Sequence, residues 1–421
     1  MGSGSHTESV EQRLTMDDSP DWSTYCSYPF FQITMKQYDG DRLVQSWPCC
    51  NVSRTIDWRK TDLGDQHLLD PQQLFDQPSM VQLRQNLLSG IKDPQCQVCW
   101  RMEDQLGIKS YRQGSPGYHA RQAVPLGLTS VDIRTSNLCN LRCRMCYPTD
   151  SHSLLIDHSY FEAHGLLDRL EATVGRYSHD KVSKNLDKPN AQLDWLMANT
   201  DQINMIRASG GEPFYDQRII KLLQRYVETG AASNTTLRFN TNGTLFTDNM
   251  LDLLGHFNNQ HQISVDGTAA VYEYIRFPQR FHDLEHSIRR YIQQLQPDFL
   301  TLVMTVSALN VLNINQLIDW ANSLHDDVHV WFAEVFPQKR GTSLYRMPPG
   351  LLELAKQRLL PHATQPNSNV ADQLQRIQSA IDNNREDLHR LREEIMLFDQ
   401  ARDQRYADYL DPQLVAWLDS A

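Results

Sequence analysis

From about Leu126 onward the chain alternates short β-rich runs with helical stretches, and that alternation leaves few folds open. Consecutive strands separated by helix-length segments pair in parallel, because a parallel crossover needs a dozen or more residues and usually a helix. Candidate strands are Ser130–Ile133, Ile203–Ser209, Thr236–Asn240, Gln262–Val265, Leu300–Val306 and Val328–Glu334. Candidate helices between them are Tyr160–Thr173, Gln217–Glu228, Thr247–Leu254, Leu284–Leu295 and Ile314–Ser323. Six such units predict an α/β fold, a partial (β/α)6 TIM-like barrel over residues 126–336 rather than the complete ring of eight.

The flanks differ in composition. Residues 21–120 are irregular and rich in aromatics and cysteine, with a strand-like run Phe30–Met35 before a turn at Asp39-Gly40 and a helical pattern Ser79–Leu88 ending at Gly90. They read as a small, separately built module. Residues 337–421 are charged and helical; Leu374, Ile377, Ile381, Leu388, Leu391, Ile395 and Phe398 fall near one stripe, predicting a long helix laid on the barrel in a structural role. The insertion Tyr177–Asn190, with Lys181, Lys184 and Lys188, reads as a surface loop. Met1–His6 reads like a tag remnant, followed by a disordered polar tail through residue 20, and both are set aside.

The net charge of −11 is spread along the chain and repels phosphate backbones, so nucleic acid is not an expected partner. No apolar run is long enough to span a membrane or serve as a secretory signal, which points to the cytoplasm. All eight cysteines fall at or before residue 146, in close groups. That pattern suits metal ligation in a reducing compartment better than a disulfide framework.

Ser136–Tyr147 reads SNLCNLRCRMCY, placing Cys139, Cys143 and Cys146 in a Cys-x3-Cys-x2-Cys loop directly after the first barrel strand. A short loop with these spacings can give each thiolate its own iron of a cubane cluster. Three ligands leave one iron open for a bound cofactor or substrate, by the logic that separates catalytic from structural metal sites. A zinc knuckle is the competing reading; zinc sites usually have a fourth ligand, and His152 is the nearest histidine.

The loop resembles the signature of the radical S-adenosylmethionine (SAM) superfamily. The resemblance implies that Cys139, Cys143 and Cys146 hold a [4Fe–4S] cluster whose open iron binds SAM. It also implies reductive cleavage of SAM to a 5′-deoxyadenosyl radical, which abstracts a hydrogen atom from the substrate. The position before the last cysteine, often aromatic in the family, is Met145, whose thioether can lie against an adenine face. After the second strand, Gly210-Gly211-Glu212-Pro213 looks like the family's GGEP motif. Its glycines let backbone approach the SAM amino group closely, and Glu212 brings a carboxylate near that cation. Asn242, in Thr241-Asn242-Gly243, and Ser264 and Asp266, in Ser264-Val265-Asp266-Gly267, match segments that line the SAM pocket in similar enzymes. The resemblance also implies that Arg276 meets the SAM carboxylate and that Asn310 faces the ribose or adenine. Strand C-termini are where parallel α/β folds place their sites, although Asn-Gly and Asp-Gly are also ordinary turn formers.

The upstream cysteines resemble the Twitch or SPASM auxiliary-cluster modules of radical SAM maturases, here placed before the barrel. The resemblance implies a second, auxiliary [4Fe–4S] cluster on Cys26, Cys49, Cys96 and Cys99, with Cys50 left over as a buried thiol. A structural zinc site is the alternative, since Cys96-x2-Cys99 plus an earlier pair would serve it. The same likeness implies a peptide or protein substrate undergoing oxidation, crosslinking or epimerisation, with an electron donor such as flavodoxin or ferredoxin. A small amino acid or sugar metabolite is the second expectation. A non-catalytic iron–sulfur or zinc-binding interaction protein is the third.

Overall fold

The computed structural model describes residues 20–38, 43–49, 70–105, 107, 109–175, 177, 191–334 and 340–420. The tail before Pro20, the Asp39-Gly40 turn, Cys50, the lysines of the 177–190 insertion, and Gln338 and Lys339 lie outside these residues. The chain divides into two compact units: Met1–Met35 with Gln45–Val131, and Lys36–Val44 with Asp132–Ala421.

In the first unit a helical turn, Tyr28–Phe31, precedes strand Gln32–Tyr38, which leaves the unit at Lys36, and the helices Pro71–Phe75, Pro78–Leu88 and Gln97–Asp104 follow. Helix Pro71–Phe75 starts in a capping box, Asp70 accepting from the Gln73 N–H at 2.8 Å and the Gln73 side chain accepting from the Asp70 N–H at 3.1 Å. Arg84 is buried to fasten it, donating at 2.7 Å to the carbonyls of both Pro29 and Phe75 while its guanidinium lies 4.0 Å from the Phe75 ring centre.

The second unit carries β1 (Ser130–Arg134, entering the unit at Asp132), β2 (Met205–Ala208), β3 (Thr236–Thr241), β4 (Gln262–Ser264), β5 (Leu300–Val306) and β6 (Val328–Glu334). Their order in the sheet is their order in the chain, and β2 through β6 pair parallel, with Ile206 opposite Leu237, Thr241 opposite Ile263, Ile263 opposite Leu302 and Leu302 opposite Val330. A short bridge at Asn258–Asn259 adds to β3. The result is an α/β fold with an open, six-stranded partial barrel, as the alternation predicts.

The two faces of the sheet differ. Ile206, Leu237, Phe239, Ile263, Leu302, Met304, Val330 and Phe332 are buried. This face meets the helices, for a Cβ on Gly243 would touch both Ile263 and Leu284 of helix Phe281–Leu295. The alternate positions Arg207, Arg238, Gln262, Ser264 and Val303 are only partly covered, and Trp331 is exposed. A closed barrel fills its interior with layers of branched side chains; here Arg207, Arg238, Gln262 and Ser264 put polar, partly covered side chains on the inner face.

Two helical expectations need correction. Tyr160–Thr173 is two helices, Leu155–Ala163 and Leu167–Val174, divided at Gly165, whose φ of +65° lies in the left-handed region. The single long C-terminal helix is also two, Val370–Asp382 and Leu388–Arg402. Between them the Asn384 side chain donates to Met347 O at 2.7 Å and the Arg385 N–H to Tyr345 O at 2.8 Å, bonds that a continuous helix would forgo. Among the described residues no helix is long and apolar enough to cross a membrane.

Candidate active site

The loop beyond β1 is folded back on itself by its own polar side chains. Asn137 donates to Pro148 O at 2.7 Å, Ser151 to Leu141 O at 2.6 Å and Ser153 to Cys139 O at 2.6 Å. This brings Cys139, Cys143 and Cys146 into one cluster with Leu141 and Met145, the first two cysteines buried and the third half-buried. The Leu141 N–H points at the Cys139 sulfur at 3.5 Å. Burial pushes the Cys139 thiol up to about 12. A hydrogen bond from Cys146 holds Cys143 below its ordinary value and raises Cys146 itself. His152 accepts the Cys139 backbone N–H on Nδ1 at 3.0 Å, so that nitrogen is already engaged, and burial lowers its pKa.

The Gly210-Gly211 turn is the seat of this loop. Gly210 has φ +86° and Gly211 φ +52°, and a Cβ at Gly211 would lie 2.1 Å from Leu138 O. The Gly211 N–H donates to Asp150 O at 3.1 Å and the Glu212 N–H to Leu138 O at 2.6 Å. Glu212, followed by Pro213 at the start of a 3-10 turn, is buried with both carboxylate oxygens bonded. It accepts from the Thr241 hydroxyl at 2.7 Å, the Asn242 N–H at 2.6 Å and the Phe214 N–H at 3.2 Å. Desolvation outweighs these donors and pushes its pKa up to about 7. The Asn242 amide donates to Asn140 Oδ1 at 2.8 Å and reaches the Cys139 sulfur at 3.9 Å, so the end of β3 touches the cysteine loop.

At the end of β4, Ser264 is half-buried and Asp266 fully buried. Asp266 accepts from Arg276 Nε at 2.6 Å and from the Thr305 N–H at 2.7 Å. Asn310 ties the same corner, its amide donating to Asp266 O at 3.1 Å and Thr305 O at 3.0 Å while its oxygen accepts from the Ser307 N–H at 2.8 Å. Asp266 and Asn310 thus hold Arg276 and the strand ends in place. Among the described residues, the Tyr272 hydroxyl, one helical turn before Arg276, is buried without a hydrogen-bond partner.

Sequence reasoning missed the support behind the loop. Arg144 donates to Asp399 at 2.5 Å and to Tyr274 O at 2.9 Å, and its guanidinium lies 3.6 Å from the Tyr274 ring centre. Arg142 and Arg402 share Asp157, at 2.8 and 2.7 Å. Arg340, held by Glu394, donates to Cys146 O at 3.0 Å and also to Arg144 O. Helix Leu388–Arg402 therefore supplies Glu394, Asp399 and Arg402 to one network around the cysteines. The signal present in the sequence was two arginines inside the cysteine run itself.

In the first unit Cys26, Leu83, Leu87 and Trp100 form a core against which Cys96 packs. Cys96 immediately precedes helix Gln97–Asp104, and Cys99 is buried in its first turn. The Trp100 indole N–H donates to Asp93 O at 2.8 Å, which ties that helix to the segment before it. Burial pushes Cys26 up to about 12 and raises Cys96 and Cys99 as well. Against that, hydrogen bonding by the Tyr28 backbone and the Ser115 side chain lowers Cys26, and by the Arg112 backbone lowers Cys99; the Ser110 hydroxyl donates to Glu103. Cys49 is half-buried just after strand Leu43–Trp47. Among the described residues no three His, Cys, Asp or Glu side chains converge tightly enough to share a single metal ion. A cubane makes a different demand, since each thiolate binds its own iron.

The family model of the radical SAM superfamily matches residues 133–321. A curated relative, the GTP 3′,8-cyclase of Desulforamulus reducens, is 25% identical over 208 residues, which is 49% of this chain and 54% of that protein. The chain thus spans about half the length of the curated relative it matches. Among solved structures, Streptococcus suis SuiB bound to S-adenosylmethionine is similar at a TM-score of 0.36 and 13% identity, over 58% of this chain and 47% of that one. The tagged anSMEcpe with bound AdoMet is similar at a TM-score of 0.38 and 15% identity, over 57% and 60%. The matched stretch contains the cysteine loop, the Gly210-Gly211 seat and the Asp266–Arg276 corner, and residues 133–321 of this chain are a radical SAM domain.

Proposed function

We propose that the chain holds a [4Fe–4S] cluster on Cys139, Cys143 and Cys146 and uses it to cleave SAM, abstracting a hydrogen atom from a peptide or protein. The observation that carries this reading is the gathering of those three thiols on the Gly210-Gly211 seat, with Glu212, Asn242 and Arg276 around them. When bound, the cluster supplies the electron that splits SAM into methionine and the 5′-deoxyadenosyl radical that attacks the substrate. With SAM bound, Glu212 would meet its ammonium and Arg276 its carboxylate, Ser264 would offer a hydroxyl, and the Met145 thioether would pack on the adenine. Asp266 and Asn310 keep Arg276 aimed.

Cys26, Cys49, Cys96 and Cys99 hold a second cluster in this reading, supported by the packing of Cys96 on the core that contains Cys26, with Cys99 in the first turn of the helix that Cys96 precedes. The likeness of those cysteines to auxiliary-cluster modules favours a peptide substrate and a reducing, cytoplasmic setting with a flavodoxin or ferredoxin as electron donor. The named activity of the GTP 3′,8-cyclase relative favours a second reading, in which the substrate is a small metabolite. Anaerobic reconstitution, iron counting and assay of 5′-deoxyadenosine with dithionite and SAM test the proposal. About eight irons per chain are expected for two cubanes and about four for one. Zinc alone, with SAM left intact, overturns it.

Glu212 gives a pH-dependent test. Its pKa stands at about 7, with Thr241, Asn242 and Phe214 donating to it and Arg276 and Cys139 as the charged or titratable groups near it. Because burial raises this pKa above its value in the unfolded chain, the stability it contributes is complete below about pH 4.5 and is lost as pH rises through about 7. An ammonium docked beside it favours the carboxylate, so SAM binding near pH 7 is expected to release a fraction of a proton. Calorimetry of SAM binding in buffers of different ionisation enthalpy reads that release, and it should vanish in Glu212→Gln.

A further inference from the structure

A row of hydrogen-bonding side chains crosses the inner face of the sheet, and the cofactor reading uses none of them. Asn240 on β3 stands opposite Gln262 on β4, Gln262 opposite Thr301 on β5, and Thr301 opposite His329 on β6. Their chain neighbours Phe239, Ile263, Leu302 and Val330 are buried on the helix side, so the two-residue alternation turns the row toward the barrel interior. Asn240 is exposed, and Gln262, Thr301 and His329 are partly covered. Two residues further along the strands the next row runs Ser264, Val303 and Trp331. There Val303 is partly covered and Trp331 is 50% exposed.

The two rows suit different parts of one ligand. Among the described residues the side chains of Asn240, Gln262 and Thr301 make no hydrogen bond to the protein. A primary amide offers two donors and an acceptor, and a hydroxyl offers both kinds of partner. Neighbouring strands lie about 4.8 Å apart, so donors and acceptors stand side by side, a pattern that the N–H and C=O of a peptide group can answer. An oxyanion only accepts, and it would leave the amide oxygens of Asn240 and Gln262 facing its own. No side chain from Asn240 to Thr301 carries a formal charge, and His329, at the far end, stands 3.6 Å from the Asp327 carboxylate. In the second row, the exposed indole of Trp331 gains by burial under an apolar or aromatic side chain.

We infer that Asn240, Gln262 and Thr301 hold a peptide group of the substrate, while Val303 and Trp331 hold an apolar or aromatic side chain next to it. The inference rests on the peptide reading above and narrows it to an uncharged segment. The placement suits the chemistry. Val303 stands between Trp331 and Ser264, and Ser264 is two residues before Asp266, which holds Arg276. A side chain laid on Val303 and Trp331 therefore lies between the amide row, about 7 Å back along the strands, and the corner assigned to SAM. That side chain is the part of the peptide presented to the radical.

Isothermal titration of the full chain, reconstituted with iron, sulfide and SAM, tests this with N-acetyl-L-phenylalaninamide, which carries two amide groups, one ring and no charge. GTP is the opposing probe, since a small anionic metabolite is the competing substrate. Saturable binding of the capped phenylalanine is expected, weakened at least about tenfold in Trp331→Ala and in Gln262→Met, and partly kept in Trp331→Phe, which retains a ring. Circular dichroism and iron content establish that each variant is folded and loaded. If the capped phenylalanine does not bind, if Trp331→Ala and Gln262→Met bind it as the parent does, or if GTP binds in its place, the assignment is wrong. Binding is read without turnover. A chain that binds the probe and leaves SAM intact overturns the radical reading alone, and one that cleaves SAM and ignores the probe overturns this inference alone.

Discussion

Cys143→Ala is expected to reduce 5′-deoxyadenosine formation to background, a loss of at least about a thousandfold, equivalent to roughly 4 kcal/mol of transition-state stabilisation. Cys143 sits at the centre of the loop, buried and hydrogen-bonded by Cys146, with Arg276 and Arg402 as the nearest cationic influences. A cluster needs one thiolate per anchored iron, and a loop that supplies two in place of three leaves a second iron without a protein ligand. Iron content and 5′-deoxyadenosine are measured together. Retention of more than about a tenth of parental SAM cleavage in this variant would falsify the assignment of Cys143 as a ligand.

The strands were legible because their apolar residues alternate with a period of two and are bounded by turn residues, and all six expected runs contain the observed strand or overlap it closely. The cysteine loop was legible because spacing alone limits what three thiols can hold. The breaks at Gly165 and at 383–387 were not, since an apolar stripe continues across a short interruption that only tertiary hydrogen bonds stabilise. Nor was the support behind the loop: Arg144 and Asp399 are 255 positions apart, and Arg402 and Asp157 are 245 apart, so no local pattern links them. Arg207 and Arg238 lie in runs that read correctly as strands. Which face of those strands stays only partly covered depends on whether the barrel closes, and that is a property of the whole sheet.

Asp157→Ala is expected to cost about 3–5 kcal/mol of stability, because its carboxylate is the shared partner of two arginines in the protein interior. It accepts from Arg142 at 2.8 Å on one oxygen and from Arg402 Nη2 at 2.7 Å on the other, and the Asp157 and Arg402 side chains are both 0% exposed. Without the carboxylate, Arg402 is a buried cation facing Phe277 and Phe398, whose ring centres lie 5.5 and 4.9 Å away and replace little of the lost charge. Denaturant unfolding measures the loss, and a drop below about 1 kcal/mol would show that the pair is not carrying the buried charge. The double variant Asp157→Leu with Arg402→Met separates two roles. Replacing a buried pair by apolar volume often restores stability, whereas Arg142, inside the cysteine run, still lacks its partner. Recovered stability with persistently low iron content therefore assigns the network to positioning the cysteine loop, and recovery of both assigns it to the fold alone.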